Sequence, residues 1–194
     1  MDDASKLARE LCTPVGDPDG ETAIATTLAR FGAPALRFAR RNKIAIRPLR
    51  AGERFDRASP ALVRLRIDVD AWPAPPAGLF VVEERCVYLR SRSAMTVAHE
   101  FGHAIDCALG GGVYRSGISP QIREAFAHAK RFVTPYAATG LDEYFAEGLR
   151  AYVEINDPHS PWPRATRARL RIIDLPLYRY IEELFAVGFE QEAA

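Results

Sequence analysis

The residues best suited to chemistry are His99, Glu100 and His103, which together form an HExxH pattern. On a helix, residues four apart lie on one face, so the two imidazoles can bind a single metal ion at about 2 Å. Glu100, one position further on, points to the adjacent side, where it can act as a general base on a water molecule at the metal. The pattern therefore predicts a hydrolytic metal site.

The flanking residues predict that this helix is buried. Apolar side chains, among them Val97, Phe101 and Ile105, cover most of its circumference. Burial of two imidazoles and a carboxylate without partners costs several kcal/mol, whereas a cation satisfies all three. Gly102 is less favourable inside a helix than alanine by about 1 kcal/mol, which predicts a close approach of another backbone or of the substrate at this point.

A hydrolytic zinc site needs a third protein ligand, because water takes the fourth position. Asp106 and Cys107 lie on the same helix and cannot easily complete a tetrahedron. Asp106 is better placed to orient an imidazole from behind the ligands. The remaining histidines, His128 and His159, have no other type of ligand beside them. The third ligand is therefore expected from a different helix.

Glu143 and Glu147 are the stronger candidates for this ligand. They are four residues apart on a predicted helix, so their carboxylates share one face, and Glu143 follows the HExxH pattern by about 40 residues. Helix geometry alone allows either carboxylate to reach the ion.

The elements around these residues predict an α+β chain with a small mixed sheet, an active-site helix and a helical C-terminal part. One domain is expected over residues 1–194, with N-terminal helices in 1–42, strands in 43–90, the active-site helix in 94–109 and the helical part with the third ligand in 120–189. Helical spacing is found in 4–11, 24–31, 36–39, 94–109, 120–131, 141–155 and 178–189, with breaks at 14–20, 110–112 and 158–163.

Alternation of period two predicts strands at 44–48 and 63–69, and two apolar runs at 79–82 and 86–89 predict a hairpin. The segment 72–78 contains three prolines and is predicted to be a loop. An extended substrate is expected to pair with an edge strand, either 79–82 or 86–89.

Composition excludes several classes of partner. The 26 basic and 25 acidic residues give a net charge of +1, so no global field attracts nucleic acid or an anionic membrane. Arginines cluster near the C-terminus, but their spacing is typical of a solvated face: Arg164, Arg167, Arg169 and Arg171.

The three cysteines are an odd number without paired spacing, which favours a reducing compartment. No signal peptide or membrane span is apparent, so the default location is cytoplasmic, with signal-less export left open, and the oligomeric state is not indicated.

Several segments in order resemble the protease domain of anthrax toxin lethal factor and the Pro-Pro endopeptidases, which are zinc metallopeptidases of the gluzincin class. The resemblance rests on the strand pair in 78–89, the HEFGHAID run that begins at His99, and Tyr136 followed by Glu143 and Glu147. It covers about residues 78–155, and 177–185 is similar to the closing helix of the family. The other domains of the toxin have no counterpart here, so toxicity is not implied.

This resemblance implies a zincin-like fold and a zinc-dependent endopeptidase that acts on a peptide or protein substrate. His99, His103 and Glu143 would bind one Zn²⁺ per chain, and Glu100 would be the general base. Tyr136 would donate a hydrogen bond to the oxyanion. The choice of Glu143 as ligand, with Glu147 as its supporting neighbour, rests on the family's spacing of seven from the tyrosine.

Two alternatives stay open. Repressor-cleaving peptidases of the ImmA/IrrE type also carry an HExGH pattern in a small chain, although the spacing from Tyr136 to Glu143 and Glu147 disfavours them. A catalytically silent zinc-binding module for protein interaction would keep the same ligands, although the intact Glu100 makes this reading the weaker one.

Overall fold

The computed structural model describes residues 2–160 and 164–191. The α-helices are α1 (Asp3–Leu11), α2 (Pro18–Ala29), α3 (Gly32–Arg41), α4 (Phe55–Ala58), α5 (Pro60–Leu65), α6 (Ala94–Leu109), α7 (Arg115–Ile118), α8 (Pro120–His128), α9 (Leu141–Tyr152), α10 (Arg167–Ile173), α11 (Leu175–Glu183) and α12 (Phe189–Gln191). The strands are β1 (Ala45–Pro48), β2 (Gly78–Val81) and β3 (Cys86–Leu89). Short 3-10 turns lie at Val69–Ala71, Val82–Glu84 and Tyr136–Ala138. The predicted α+β class with a small mixed sheet is confirmed.

The sheet has the order β1-β3-β2, with β1 parallel and β2 antiparallel to β3. The predicted hairpin is therefore present, and Val82 belongs to its turn rather than to a strand. Every residue of β3 is buried, because this central strand is paired on both edges and an apolar cluster covers each of its faces. The expectation that β3 could receive a substrate on a free edge is wrong, and β2 is the strand of this hairpin that lies at the edge of the sheet.

The strand predicted at 63–69 is also wrong. Ser59 caps a helix there by accepting the N–H of Leu62, and Pro60 occupies the first turn, where its fixed φ suits a helix. Arg66 then ends α5 in the left-handed conformation at φ 57°. The apolar side chains that suggested alternation are largely exposed, with Val63 at 60% and Leu65 at 47%. Among the described residues, no strand lies beside this segment to form a sheet with it.

Helix starts follow their capping residues. Ser93 accepts the N–H of Thr96 and begins α6, which has the predicted bounds. Asp17 accepts the N–H of Gly20 and begins α2 at Pro18, so the turn predicted for 14–20 ends earlier than expected. Asp174 likewise begins α11 at Leu175, before the predicted start at 178.

Helix ends lie earlier than the periodicity indicated. α8 stops at His128, where Ala129 becomes extended. α9 stops at Tyr152, because Glu154 takes a φ of 59° and the N–H of Ile155 returns to the carbonyl of Arg150. Of the break predicted at 158–163, residues 161–163 lie outside the described part of the chain.

Helices α6 and α9 pack against each other at the centre of the main core, and α2, α8 and α11 surround them. Phe31 from the N-terminal helices meets Phe101 of α6 edge to face, with ring centroids 4.9 Å apart. A second apolar cluster lies under the other face of the sheet and contains Phe55, Leu62 and Tyr88. Within the described residues, no helix is long and apolar enough to cross a membrane.

Candidate metal centre and active site

The close contact between α6 and α9 depends on Gly102. A Cβ atom at this position would lie 2.9 Å from the Cα and 3.0 Å from the Cβ of Ala146. The absence of a side chain lets the two helix backbones approach and brings the faces that carry His99, His103 and Glu143 together. The prediction of a close backbone approach at Gly102 is confirmed, and the partner is α9.

Three polar atoms converge where these faces meet. The Nε2 atoms of His99 and His103 lie 3.1 Å apart, and Oε2 of Glu143 lies 3.0 Å from the first and 3.4 Å from the second. Ligand atoms placed about 2.0–2.1 Å from a tetrahedral zinc ion are separated by about 3.3 Å. The triangle formed by the three atoms therefore matches one face of a zinc coordination tetrahedron.

The chemistry of the three atoms also fits a cation. Oε2 of Glu143 is buried and accepts no hydrogen bond from the described residues, although both imidazoles are near. Two neutral imidazoles that turn Nε2 lone pairs toward each other and toward a carboxylate would repel. A cation among them relieves this repulsion and satisfies the buried oxygen. The donor set of two nitrogens and one carboxylate oxygen is one that zinc accepts in hydrolytic sites.

Protons compete for the same position. Burial disfavours the charged form of His99, yet the carboxylates of Glu143 and Glu147 outweigh it and raise the pKa of His99 to about 10. Burial likewise disfavours the ionised form of Glu143, but the two imidazoles hold its pKa well below the usual range. A metal ion that binds here must displace a proton from the imidazoles, so its affinity must fall in acid.

Glu147 supports His99 from behind. Its Oε1 lies 3.0 Å from Nδ1 of His99, which leaves Nε2 free to face the other two ligand atoms. Arg150, only 1% exposed, donates to both oxygens of Glu147 at 2.9 Å and 2.7 Å. Burial would raise the pKa of Glu147, but Arg150 and His99 hold it well below the usual range. The carboxylate is therefore ionised and fixed, as the supporting position next to a metal ligand requires.

Glu100 is 9% exposed and lies beneath the start of β2. A Cβ at Gly78 would be 2.5 Å from Cγ of Glu100, so the glycine makes room for this side chain. Burial raises the pKa of Glu100 above its ordinary value, and the two neighbouring imidazoles oppose the shift. Burial thus makes this carboxylate a stronger proton acceptor than a solvated glutamate.

Tyr136 lies on the single 3-10 turn before α9. Its hydroxyl donates to Oε1 of Glu143 at 3.0 Å, and its ring centroid is 5.3 Å from that of His99. Burial and the charge of Glu143 raise the pKa of the phenol, so it stays protonated. The side chain is still 48% exposed, which leaves it accessible from the cleft.

Asp106 does not make the contact expected of it. Its carboxylate accepts the backbone N–H of Ser116 at 2.8 Å and the Ser116 hydroxyl at 2.6 Å, and no hydrogen bond to an imidazole is present in the described residues. The side chain therefore connects α6 to α7, the helix that contains Ser116. Burial raises the pKa of Asp106 to about 6, partly offset by the bonds from Ser116.

The other candidate ligands stay apart from this group. Cys107 is buried in the core, and Nδ1 of His128 faces the carbonyl of Glu124 on its own helix. The exposed His159 lies in the loop before α10. Among the described residues, one cluster of three or more potential ligands is present: His99, His103 and Glu143.

Two residues of this network, Arg150 and Thr134, were not predicted from the sequence. Arg150 follows Glu147 by three residues on the same helix face, and a basic residue among the apolar neighbours of α9 was an available signal for a buried ion pair. Thr134 donates its hydroxyl to Oε2 of Glu147 at 2.6 Å. Its sequence context, a loop residue before a proline, gave no signal.

A cavity of about 340 Å³ opens beside the three converging atoms. Its walls include Pro76, Gly78, Met95, His99 and Tyr136, so edge strand β2 and the active-site helix face each other across it. A larger cavity of about 630 Å³ lies between α8 and α11. None of the residues that line this larger cavity belongs to the cluster, whereas His99 lines the smaller cavity.

The C-terminal arginines make structural contacts. The Arg167 guanidinium lies 4.1 Å from the centre of the Tyr152 ring and donates to the Tyr152 carbonyl. Arg169 donates to the carbonyl of Val133, and the guanidinium of Arg171 lies 5.8 Å from the ring centre of Tyr178. These side chains attach α10 to its neighbours.

Comparisons with known proteins give one kind of match. No protein-family profile matches the sequence, and no curated protein sequence matches it. Among solved structures, the chain is similar to the Pro-Pro endopeptidase PPEP-2 from Paenibacillus alvei, with a TM-score of 0.66 and 20% identity over 92% of this chain and 99% of that chain. The similarity shows that the two chains share a fold, in agreement with the zincin-like architecture predicted from the sequence.

Proposed function

We propose that this protein is a zinc-dependent endopeptidase that binds one Zn²⁺ through His99, His103 and Glu143. The observation that carries the proposal is the triangle of Nε2, Nε2 and Oε2 atoms with sides of 3.0–3.4 Å, in which the buried oxygen accepts no hydrogen bond from the part of the chain that the structure describes. A zinc ion bound there would act as a Lewis acid on the substrate carbonyl and lower the pKa of water.

Glu100 is the general base in this proposal. Its carboxylate lines the same cavity as His99, and burial raises its pKa toward the range in which a group both accepts and returns a proton near neutrality. Glu100 takes a proton from the attacking water as the water adds to the peptide carbonyl. It then transfers this proton to the nitrogen of the leaving amine.

Tyr136 donates a hydrogen bond to the oxygen of the tetrahedral intermediate. In the free protein its hydroxyl donates to Glu143, and the exposed side chain lines the cavity that the substrate would enter. Its raised pKa keeps the proton on the phenol. A positioned donor of this kind contributes about 2.7–4 kcal/mol to transition-state stabilisation.

The substrate is a peptide or a protein segment in extended conformation. Strand β2 is the edge strand that borders the cavity, so its free backbone groups can pair with a substrate backbone. The similar structure is that of a Pro-Pro endopeptidase, and peptides with adjacent prolines are therefore the first substrates to test.

The test combines metal content with cleavage. Purified protein is analysed for zinc and incubated with a peptide library that includes Pro-Pro sequences, with and without a zinc chelator. We expect about one zinc per chain and products that disappear with the chelator. Glu100→Gln should keep its zinc and lose cleavage by at least about a thousandfold, because the base is removed and the ligands remain.

Other outcomes assign other functions. Cleavage retained by Glu100→Gln would contradict the mechanism. Stoichiometric zinc without any chelator-sensitive product would favour the catalytically silent binding module. Cleavage of repressor-derived peptides alone would favour the ImmA/IrrE type of regulatory peptidase.

A further inference from the structure

Thr134 lies in the loop before α9 and is 3% exposed. Its hydroxyl makes two hydrogen bonds in different directions. It donates to Oε2 of Glu147 at 2.6 Å, and it accepts the backbone N–H of Ala137 at 3.2 Å. The single hydroxyl thus connects helix α9 with the turn that precedes it.

Both connections lead to residues of the proposed active site. The other oxygen of Glu147 lies 3.0 Å from Nδ1 of His99. Ala137 directly follows Tyr136 on the 3-10 turn Tyr136–Ala138, so the bond from its N–H fixes the start of that turn. Displacement of the Thr134 hydroxyl would therefore affect the orientation of His99 and the position of the Tyr136 ring.

Local turn formation alone does not account for this arrangement. A threonine that only stabilises a turn needs to accept the N–H three residues ahead, and serine, aspartate or asparagine can do the same. The short bond to a buried carboxylate on another element is an additional contact. An aspartate at 134 would repel Glu147, so the position needs a group that both accepts and donates.

The charge of Glu147 is balanced without Thr134. Arg150 donates to both carboxylate oxygens and is itself held by the carbonyl of Ile155 at 2.8 Å. Loss of the Thr134 hydroxyl would leave this ion pair in place. The contribution of Thr134 is therefore geometric, because it fixes the plane of a carboxylate whose ionisation Arg150 already secures.

We propose that Thr134 is a positioning residue that couples the zinc ligand His99 to the oxyanion donor Tyr136 through one hydroxyl group. The inference rests on the proposed peptidase function for its rate predictions, but the zinc-affinity prediction needs only the metal site. Thr134 belongs to the wall of the cavity of about 340 Å³, but it is only 3% exposed and its hydroxyl is taken up by Glu147 and Ala137, so it is not expected to contact the scissile bond.

The first test compares Thr134→Val with Thr134→Ser. Valine has nearly the same shape and lacks both hydrogen bonds, whereas serine keeps the hydroxyl. We expect Thr134→Val to lower kcat about 10- to 100-fold with KM within about twofold, and to raise the zinc Kd about tenfold. Thr134→Ser should stay within about threefold of the wild type in all three quantities.

The second test is a double-mutant cycle with Tyr136→Phe. Because part of the effect of Thr134 passes through the Tyr136 hydroxyl, Thr134→Val should lower kcat clearly less in the Tyr136→Phe background than in the wild type. A purely structural defect would lower kcat by the same factor in both backgrounds. Equal factors, or no rescue by serine, would overturn the coupling.

Zinc affinity separates this proposal from the proposed function. It is measured by competition with a chromogenic chelator on the folded protein, and it does not depend on finding a substrate. An unchanged zinc Kd in Thr134→Val would refute the link to His99 even if cleavage is never observed. Should valine prevent folding, Thr134→Ala removes the same hydroxyl with less bulk and is subject to the same criteria.

Discussion

His99 and His103 lie on the same face of α6, yet their surroundings differ. Nδ1 of His99 is held by Glu147, which is in turn held by Arg150. Nδ1 of His103 is buried and has no hydrogen-bond partner among the described residues, and the ring of Tyr114 lies 5.9 Å from the His103 ring between centroids. On the Nδ1 side, the imidazole of His99 is held by a charged network, whereas that of His103 has no polar partner among the described residues.

Helix α6 thus supplies the spacing of the two imidazoles, and the Glu147 network of α9 orients only one of them. The metal site is therefore expected to respond unequally to changes on its two sides. Changes to the network behind His99 should alter zinc affinity, and changes near His103 should mainly alter stability.

The largest expected effect is loss of the metal, and it should be the same for both histidines. His99→Ala and His103→Ala should each abolish stoichiometric zinc, because two remaining protein ligands do not form a hydrolytic zinc site. Zinc content after gel filtration measures this effect. The exposed histidine of α8 provides the control, and His128→Ala should keep about one zinc per chain. Full zinc retention by either ligand variant would show that the cluster is not the metal site.

The next effect tests the network behind His99. Glu147→Gln should raise the zinc Kd about 10- to 100-fold, because a neutral amide is a poorer partner for the imidazole N–H. It should also lower the free energy of unfolding by about 3 kcal/mol, since the buried Arg150 loses its counter-charge. Chelator competition and denaturant titration measure the two quantities. Glu124→Gln, on the exposed face of α8, should leave both unchanged, and an unaltered zinc Kd in Glu147→Gln would refute the comparison.

Asp106, on the same helix three residues after His103, provides the matching test on the other side of the site. A change there should alter stability and leave zinc affinity unchanged. Its folded pKa of about 6 lies above the ordinary value of 3.8, so the unfolded chain loses this proton first. The contribution of Asp106 to stability is therefore greatest below pH 4, falls as the pH rises toward 6, and is level above that. Relative to Asp106→Asn, the wild type should lose up to about 3 kcal/mol across this range.

Denaturant titrations of the two proteins between pH 4 and 7 measure the difference. Zinc affinity at neutral pH should be the same in Asp106→Asn and the wild type, because the carboxylate faces Ser116. A large rise in the zinc Kd would instead place Asp106 behind His103, as the sequence suggested.

The smallest expected effect is on the close contact between α6 and α9 at Gly102, which brings both histidines toward Glu143. Gly102→Ala should lower the free energy of unfolding by about 1–2 kcal/mol, because the added methyl group collides with Ala146 of the facing helix. Thermal denaturation measures it. Gly117→Ala adds a methyl group where nothing lies within 4 Å, so it should not destabilise the protein. Equal stability of the two variants would show that the helices can separate without cost.

The active-site helix could be predicted from the sequence because local signals agree there. Ser93 provides the N-terminal cap, the apolar residues of 94–109 recur at helical spacing, and the HExxH pattern also requires a helix. The predicted strand at 63–69 failed because Ser59 and Pro60 begin a helix, and a strand needs a partner that local alternation does not reveal. Pairing is a property of distant residues.

The candidate site divides in the same way. The meeting of Glu143 with the two histidines was expected from family spacing. The roles of Arg150 and Thr134 depend on which side chains from separate segments meet in three dimensions. Spacing along one helix predicted that Asp106 would contact an imidazole. Its actual partner is Ser116, which lies ten residues later in the chain, on a different helix.

Glu143, Glu147 and Arg150 follow one another at intervals of four and three residues on α9, so they form one stripe along the helix. A helix turns by about 100° for each residue. A single residue inserted between Glu143 and Arg150 would therefore rotate part of the stripe out of the cleft. An insertion at Gly111, where the backbone is exposed and has open space around it, would leave the stripe in phase. Insertions should therefore be tolerated in the loop 110–112 and not within α9. Homologous chains should vary in length in this loop, while α9 keeps its length.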